Sequence, residues 1–392
     1  MNTLRPRHAA RLLQRGLSIM ELMVGITIGM ITVVVIFQVL TASDARTRST
    51  AAGGDAQMTG TVAMYALDRD IKLGGMGFGT GTAAYTGCTV QAYNSDLATP
   101  DFTFAFMPVQ IVQGAAGVGA EIDEVNVLYS NSQYFVAAQN LDASTSSTKR
   151  LRSRAGFQLG DLMVVAGKQS STAATECALL EVTVNNNPDN LTIGHTQAAY
   201  ARFYPNVENP SETSRTPTFN KSTGFGPALT EGSVFNLGPR PHRTEWRITD
   251  GRRLTQRNSL FSSDVVDVGE GVVNLQAQYG VDGANAGTLD NIITDAEWTV
   301  TAPSDVTRLR AIRVAILVRS QQFEVPLTDA GGTAVSITPD APTWSGGTFA
   351  MINLDGSAGS TSPGGAIDWR NYRYRVYESV IPLRNMIWGT AP

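Results

Sequence analysis

Residues 17–40 read LSIMELMVGITIGMITVVVIFQVL, twenty-four positions whose one ionisable side chain is Glu21. As a helix rising about 1.5 Å per residue, the stretch is roughly 36 Å long, enough to cross a bilayer's hydrocarbon core. Upstream lie Arg5, Arg7, Arg11 and Arg15 with no acid, while downstream Asp44 and Asp55 mix with Arg46 and Arg48. This asymmetry predicts a cytoplasmic amino terminus and a body across the membrane. A cleavable secretory signal has a shorter apolar core closed by a small-residue site, so this segment reads as retained. A carboxylate inside it is costly and asks for a partner. The alternative is an ordinary single-pass anchor with a stray glutamate.

Beyond Leu40, positions 41–73 keep a helix-compatible composition, and Gly53-Gly54 predicts a loosening or kink. Met64, Leu67 and Ile71, with Tyr65 as a further candidate, recur at three- and four-residue steps, the pattern of a helix face packed on a folded body. The run Gly74-Gly75-Met76-Gly77-Phe78-Gly79-Thr80-Gly81 then stops the helix. It fits neither G-x-G-x-x-G nor G-x-x-x-x-G-K-[ST] and follows no strand, which argues against a phosphate loop.

From Tyr85 onward, short strand-like runs alternate with turn residues: 125–129, 162–166, 179–184, 245–249, 272–279 and 311–318. The body therefore reads as mainly antiparallel β. Asp250-Gly251, between Ile248 and Leu254, is the strongest hairpin signal, and the alternation of Ile312, Val314, Ile316 and Val318 marks one face of a buried strand. Six prolines between Pro205 and Pro241 predict an irregular connection and a soft boundary. Positions 329–342 and 356–365 read as surface loops.

The chain has 392 residues, 42% hydrophobic and 16% charged, with two cysteines, which excludes disorder, collagen and a disulfide-dense miniprotein. Without the four leader arginines the body carries 26 basic against 34 acidic residues, and that sign argues against nucleic acid as a partner. The clusters Lys149-Arg150-Leu151-Arg152-Ser153-Arg154 and Arg240, Arg243, Arg247, Arg252, Arg253 and Arg257 lack a nucleic-acid motif and read as solvated faces or docking surfaces for acidic neighbours. Cys88 and Cys177 have no metal-site spacing. Outside the cytoplasm they would close a long loop as a disulfide; otherwise they are separate buried thiols. His195 and His242, the body's only histidines, sit in turn-like contexts that predict exposed structural roles, and no G-x-S-x-G occurs, so no enzyme activity is expected. Asp123 and Glu124 are adjacent and point to opposite faces of a strand. The stretch Asp282 to Asp290 resembles an acidic calcium loop with Asp282, Asn285 and Asp290 as ligand candidates, yet Ala284 and Ala286 fill two ligand positions, so a turn with no metal is the better reading. No cofactor is expected.

Arg15-Gly16-Leu17-Ser18-Ile19-Met20-Glu21, with the apolar run behind it, closely resembles the class III signal of type IV pilins and type II secretion pseudopilins. The resemblance implies that a prepilin peptidase cuts between Gly16 and Leu17 and methylates the new amine of Leu17, here a leucine where phenylalanine is commoner. It also implies that Glu21, fifth after the cut, pairs with a subunit's terminal amine during assembly, which offsets the burial of both charges. The segments 272–282, 313–320 and 374–385, and the helix end 66–75 followed by Gly87-Cys88, resemble PilW-type minor pilins; positions 89–243 carry little that matches.

The expected fold is α+β: leader 1–16, amino-terminal helix 17–75 with 17–40 in the membrane, the first part of a β-rich head over 76–204, a Pro-rich connection over 205–241, and the rest of the head over 242–392. The resemblance implies a non-enzymatic minor pilin that primes type IV pilus assembly near the tip and supports twitching motility and adhesion. Its partners would be other minor pilins, the major pilin, the prepilin peptidase, the assembly platform and a tip adhesin. It would start in the inner membrane, head in the periplasm, and reach the cell surface. The alternatives are a minor pseudopilin of type II secretion and a membrane-anchored periplasmic enzyme or binding protein.

Overall fold

The computed structural model describes residues 18–79, 85–115, 121–134, 138–167, 176–186, 189–206, 209–221, 231–250, 252–324, 327–328, 334–351, 361–362, 365–366 and 368–387. Gly16 and Leu17, Gly251, and residues 329–333, 356–360 and 363–364 of the two expected loops lie outside them. The chain divides into two units, Met1–Ala52 and Gly53–Pro392.

A single helix, Ile19–Leu73, fifty-five residues long, supplies the described part of the first unit and enters the second. Ser18 caps its start, its hydroxyl accepting from the Met20 amide at 3.3 Å. The helix does not stop at Gly53-Gly54. Two glycines cost about 2 kcal/mol of helix propensity, too little to break a run with a buried stripe beyond it.

The second unit is α+β, with three main sheets. A four-stranded antiparallel sheet has the order Trp298–Thr299, Val272–Val281, Leu309–Arg319, Tyr374–Pro382. A five-stranded antiparallel sheet runs Val266–Glu270, Arg253–Asn258, His242–Thr249, Glu124–Tyr129, Val109–Val112. Gly271 alone joins the two sheets; its φ of +89° is a conformation that disfavours any side chain. The third sheet has eight strands in the order Asp101–Ala105, Thr89–Tyr93, Glu176–Glu181, Leu162–Gly167, Gly232–Gly238, Gln139–Ser144, Thr148–Leu151, Thr192–Gly194. Within it Thr89–Tyr93 and Glu176–Glu181 pair in parallel.

The largest core joins the helix stripe Ala56, Ala63, Leu67 and Ile71 to the inner faces of the four- and five-stranded sheets, including Ile312, Val314, Ile316, Val318, Val125, Val127 and Trp246. Met64 packs at its margin. Tyr65 does not belong to this face: it is 67% exposed, one helical step off the stripe. Leu309–Arg319 is buried on both faces, because Ala315 and Leu317 form a second, smaller core with Val273 and Phe349 on the far side of the sheet.

Other expectations need correction. Strand Gly232–Gly238 lies inside the stretch read as an irregular connection, yet every residue in it is buried and it pairs with Leu162–Gly167 on one side and Gln139–Ser144 on the other. Glu124–Tyr129 pairs with His242–Thr249, so segments before and after the prolines share one sheet. The strand expected over 179–184 ends at Glu181, with Val184 only bridging Gly194. The hairpin expected at Asp250 is present, with Thr249 opposite Arg253 and Asp250 at φ +50°.

Candidate functional site

The helix has two chemically distinct parts. Ile19–Thr41 has a mean hydropathy of 2.4 and none of it is buried, so it is long and apolar enough to cross a membrane. Its threonine hydroxyls are satisfied within the helix: Thr27 donates to the carbonyls of Met23 and Val24 at 3.0 and 2.9 Å, and Thr32 to that of Ile28 at 2.8 Å. Glu21 lies in the first turn, exposed, three residues after the capping Ser18. Sequence reading missed this S-x-x-E arrangement, which favours a helix start at that point.

The second part, from Gly53 on, is seated on the head by four devices. The first is small side chains. Ala56, Gly60 and Ala63 are buried, and a Cβ at Gly60 would fall 2.1 Å from the ring of Tyr377. Tyr377 therefore lies flush on the helix, and its hydroxyl donates to the Gln57 carbonyl at 3.1 Å. The second is the apolar stripe of Leu67 and Ile71, both fully buried.

The third is a buried carboxylate. Asp70, 8% exposed, accepts from the Trp246 indole N–H at 2.7 Å, and the hydroxyls of Tyr129 and Thr244 also favour its charge. Burial outweighs these and holds its pKa above the usual carboxylate value. His242 stacks on Tyr129 with ring centres 4.8 Å apart, and burial lowers its pKa. The fourth is a cap from the far end of the chain: the Asn385 amide donates to the carbonyls of Lys72, Leu73 and Gly74 at 3.5, 3.2 and 3.1 Å. The last carbonyls of a helix lack the amide donors of its interior, and that of Leu73 accepts in addition from the Met76 amide at 3.1 Å. The Gly75 amide, donating to the Leu128 carbonyl at 2.9 Å, then turns the chain onto the five-stranded sheet.

Of the other residues singled out in the sequence, Cys88 and Cys177 are joined as a disulfide, with Cα atoms 6.1 Å apart across the parallel strand pair. The loop after Val281 is held by arginines instead of being laid out as alternating ligands. The Asp282 carboxylate accepts from the amides of Asp290 and Asn291 at 3.1 and 3.3 Å and lies 3.3 Å from Arg310, while Arg308 donates to the Asp282 carbonyl at 2.7 Å. Asn285 instead donates to the Ala296 carbonyl at 2.8 Å. Buried Asp123 accepts from the amides of Gly114 and Ala277 at 3.0 and 2.9 Å, a structural role.

Part of each basic cluster is neutralised within the head. Arg243 and Arg257 both pair with Glu245, Arg253 pairs with Asp250 and Asp267, and Arg150 with Asp189. Lys149 is fully buried, its pKa pushed down to about 8 by burial. His195 is not exposed: it is 2% accessible, neither ring nitrogen has a hydrogen-bond partner, and burial, with the nearby Lys149 charge, lowers its pKa to about 3.

No curated protein and no solved structure matches the chain. Residues 252–385 match the family described as Type IV Pilus-assembly protein W. That span runs from the hairpin tip through all four strands of the four-stranded sheet to Asn385, the residue that caps the helix. It contains Tyr377 and ends where the helix is clamped, whereas the eight-stranded sheet lies wholly outside it. The chain is thus a type IV pilus-related protein, involved in pilus assembly.

Proposed function

We propose that the chain is a minor pilin: a structural, non-catalytic subunit that joins other minor pilins to prime a type IV pilus and stays near its tip. The observation that carries this reading is that the family match covers the sheet seating a helix whose other end is apolar and unburied. A subunit built this way waits in the inner membrane by its apolar segment and moves into a filament core by exchanging lipid for the helices of its neighbours. The head follows because the helix is clamped to it.

In this reading prepilin peptidase cuts between Gly16 and Leu17, Leu17 becomes the methylated amino terminus, and Glu21 meets the terminal amine of a neighbour as both leave water. The disulfide supports a head that folds outside the cytoplasm, where such bonds persist. The match to a pilus-assembly family favours a pilus over a type II secretion machine. Motility and adhesion would follow from pilus assembly.

The test is incorporation. Sheared surface filaments from cells making the wild-type chain should contain it, and those from cells making Glu21→Ala should contain much less, with equal amounts in the inner membrane. Equal incorporation of the two would remove Glu21 from the mechanism, and absence of the wild-type chain from filaments, with pili still formed when its gene is deleted, would overturn the minor-pilin reading.

A further inference from the structure

The face of the four-stranded sheet turned away from the helix carries an arginine in a distinctive setting. Arg313, on Leu309–Arg319, is 9% exposed, and its guanidinium carbon lies 4.8 Å from the ring centre of Trp298 and 5.4 Å from that of Trp344. Glycine backbone backs both rings: a Cβ at Gly280 would come within 3.0 Å of Trp298, and one at Gly346 within 2.2 Å of Trp344. Each tryptophan ring thus lies close both to a glycine backbone and to the guanidinium. Two rings at these distances restrict the guanidinium and favour its charged form.

The donors of Arg313 are under-used. Its Nη2 donates to the Gln278 amide oxygen, and its Nε is buried with no partner. Among the described residues no carboxylate lies within 4.0 Å of it. The two acids that bear on it from a distance are Glu378, on the adjacent strand, and Asp295, in the turn before Trp298. Glu378 accepts the Ser345 amide at 3.1 Å instead. Burial accordingly weighs against the charged form of Arg313, a penalty that a partner's carboxylate would relieve. Directly across the strand pair from Arg313 stands Val380, 55% exposed, on the last strand of the sheet.

We propose that this corner is a docking site for a protein partner that lays an aspartate or glutamate side chain, flanked by apolar residues, against Arg313 and Val380. A pre-oriented guanidinium loses little freedom on binding, and arginine with tryptophan in a partly desolvated setting is the composition of interface hot spots. The acidic body argues against a phosphate polymer. The proposal requires a protein partner of that chemistry and does not depend on which filament the chain serves.

The experiment uses the full-length chain in its own cells, with the photoreactive residue benzoylphenylalanine in place of Val380, and identifies the cross-linked peptide by mass. The expected product is a protein peptide with an aspartate or glutamate within two or three residues of the cross-linked position. Its yield should fall about tenfold in Arg313→Gln, as for a lost charge-assisted contact. It should also fall in Arg313→Glu and return when the partner's acid is changed to arginine. No cross-link, a peptide without an acid, a lipid or glycan adduct, or an unchanged yield in Arg313→Gln would each overturn the proposal. An intact Cys88–Cys177 bond on a non-reducing gel reports that the variant head has folded. Should Arg313→Gln fail to accumulate, Val380→Glu with the photoreactive residue at Val300 repeats the test: the cross-link should be lost by like-charge repulsion, and its persistence would contradict the proposal.

Discussion

The seat of the helix and the eight-stranded sheet each enclose a buried core, but they are held by different means. At the seat the polar groups that touch the helix are paired: Asp70 takes the Trp246 indole, Tyr377 reaches a helical carbonyl, and Asn385 spans three. The eight-stranded sheet depends on pairings between distant segments, stapled by Cys88–Cys177, and it tolerates a buried histidine with both nitrogens unpartnered beside a buried lysine. The sheet that seats the helix, with Tyr377 and Asn385, lies in the span that matches a pilus-assembly family, whereas Asp70, Trp246 and the eight-stranded sheet lie outside it. The groups that touch the helix satisfy one another, while His195, at the edge of the eight-stranded sheet, has neither ring nitrogen partnered.

The largest test of this contrast is the disulfide. Replacing both cysteines by serine should cost about 2–5 kcal/mol, as for other native disulfides closing long loops, and hydrogen exchange should rise across 89–238 while residues 63–71 stay protected. A uniform loss of protection would mean that the two regions fold as one unit. Next comes Trp246→Phe, which leaves the buried Asp70 without its indole donor and should cost about 1–3 kcal/mol in chemical denaturation. The cost should grow as pH rises, because the Asp70 pKa is already raised by burial: the stability from its protonated form is present below the ordinary value of 3.8 and is lost as pH climbs through the raised value. A pH-independent cost would detach Asp70 from the effect.

The third test lies on the other side of the contrast. His195 has its pKa lowered from 6.5 to about 3, so the stability tied to its neutral form is present above 6.5 and drains away as pH falls towards 3. His195→Leu should leave melting at pH 7 nearly unchanged and flatten the acid limb between those values; an unchanged acid limb would assign it to other groups. The smallest effect is expected for Asn385→Ala, about 1 kcal/mol for a lost helix cap. It should be read as faster exchange confined to the last helical turn, with no change in the eight-stranded sheet.

Legibility in the sequence follows the same division. The apolar segment and the steps Leu67 and Ile71 are local periodicities, and local periodicity is what a sequence displays. Arg243, Glu245 and Arg247 alternate along one strand, so the neutralising acid among the arginines was readable too. Gly232–Gly238 was not: its partners Ala166 and Asn140 lie far away in the chain, and its glycines and flanking prolines resemble a loop. His195 looked exposed because turn residues flank it, whereas a backbone hydrogen bond from its own amide to Ser147 pins it beneath the edge of the sheet. The cap by Asn385 joins residues more than three hundred positions apart, and no spacing rule reveals it.

The most direct test of the account is the intact mass of the chain isolated from membranes of cells with an active prepilin peptidase, taken with and without reductant. The account predicts a chain lacking residues 1–16, carrying one added methyl group, and lighter by two hydrogens that reductant restores. A full-length, unmethylated chain would contradict it and leave the apolar helix as an ordinary anchor.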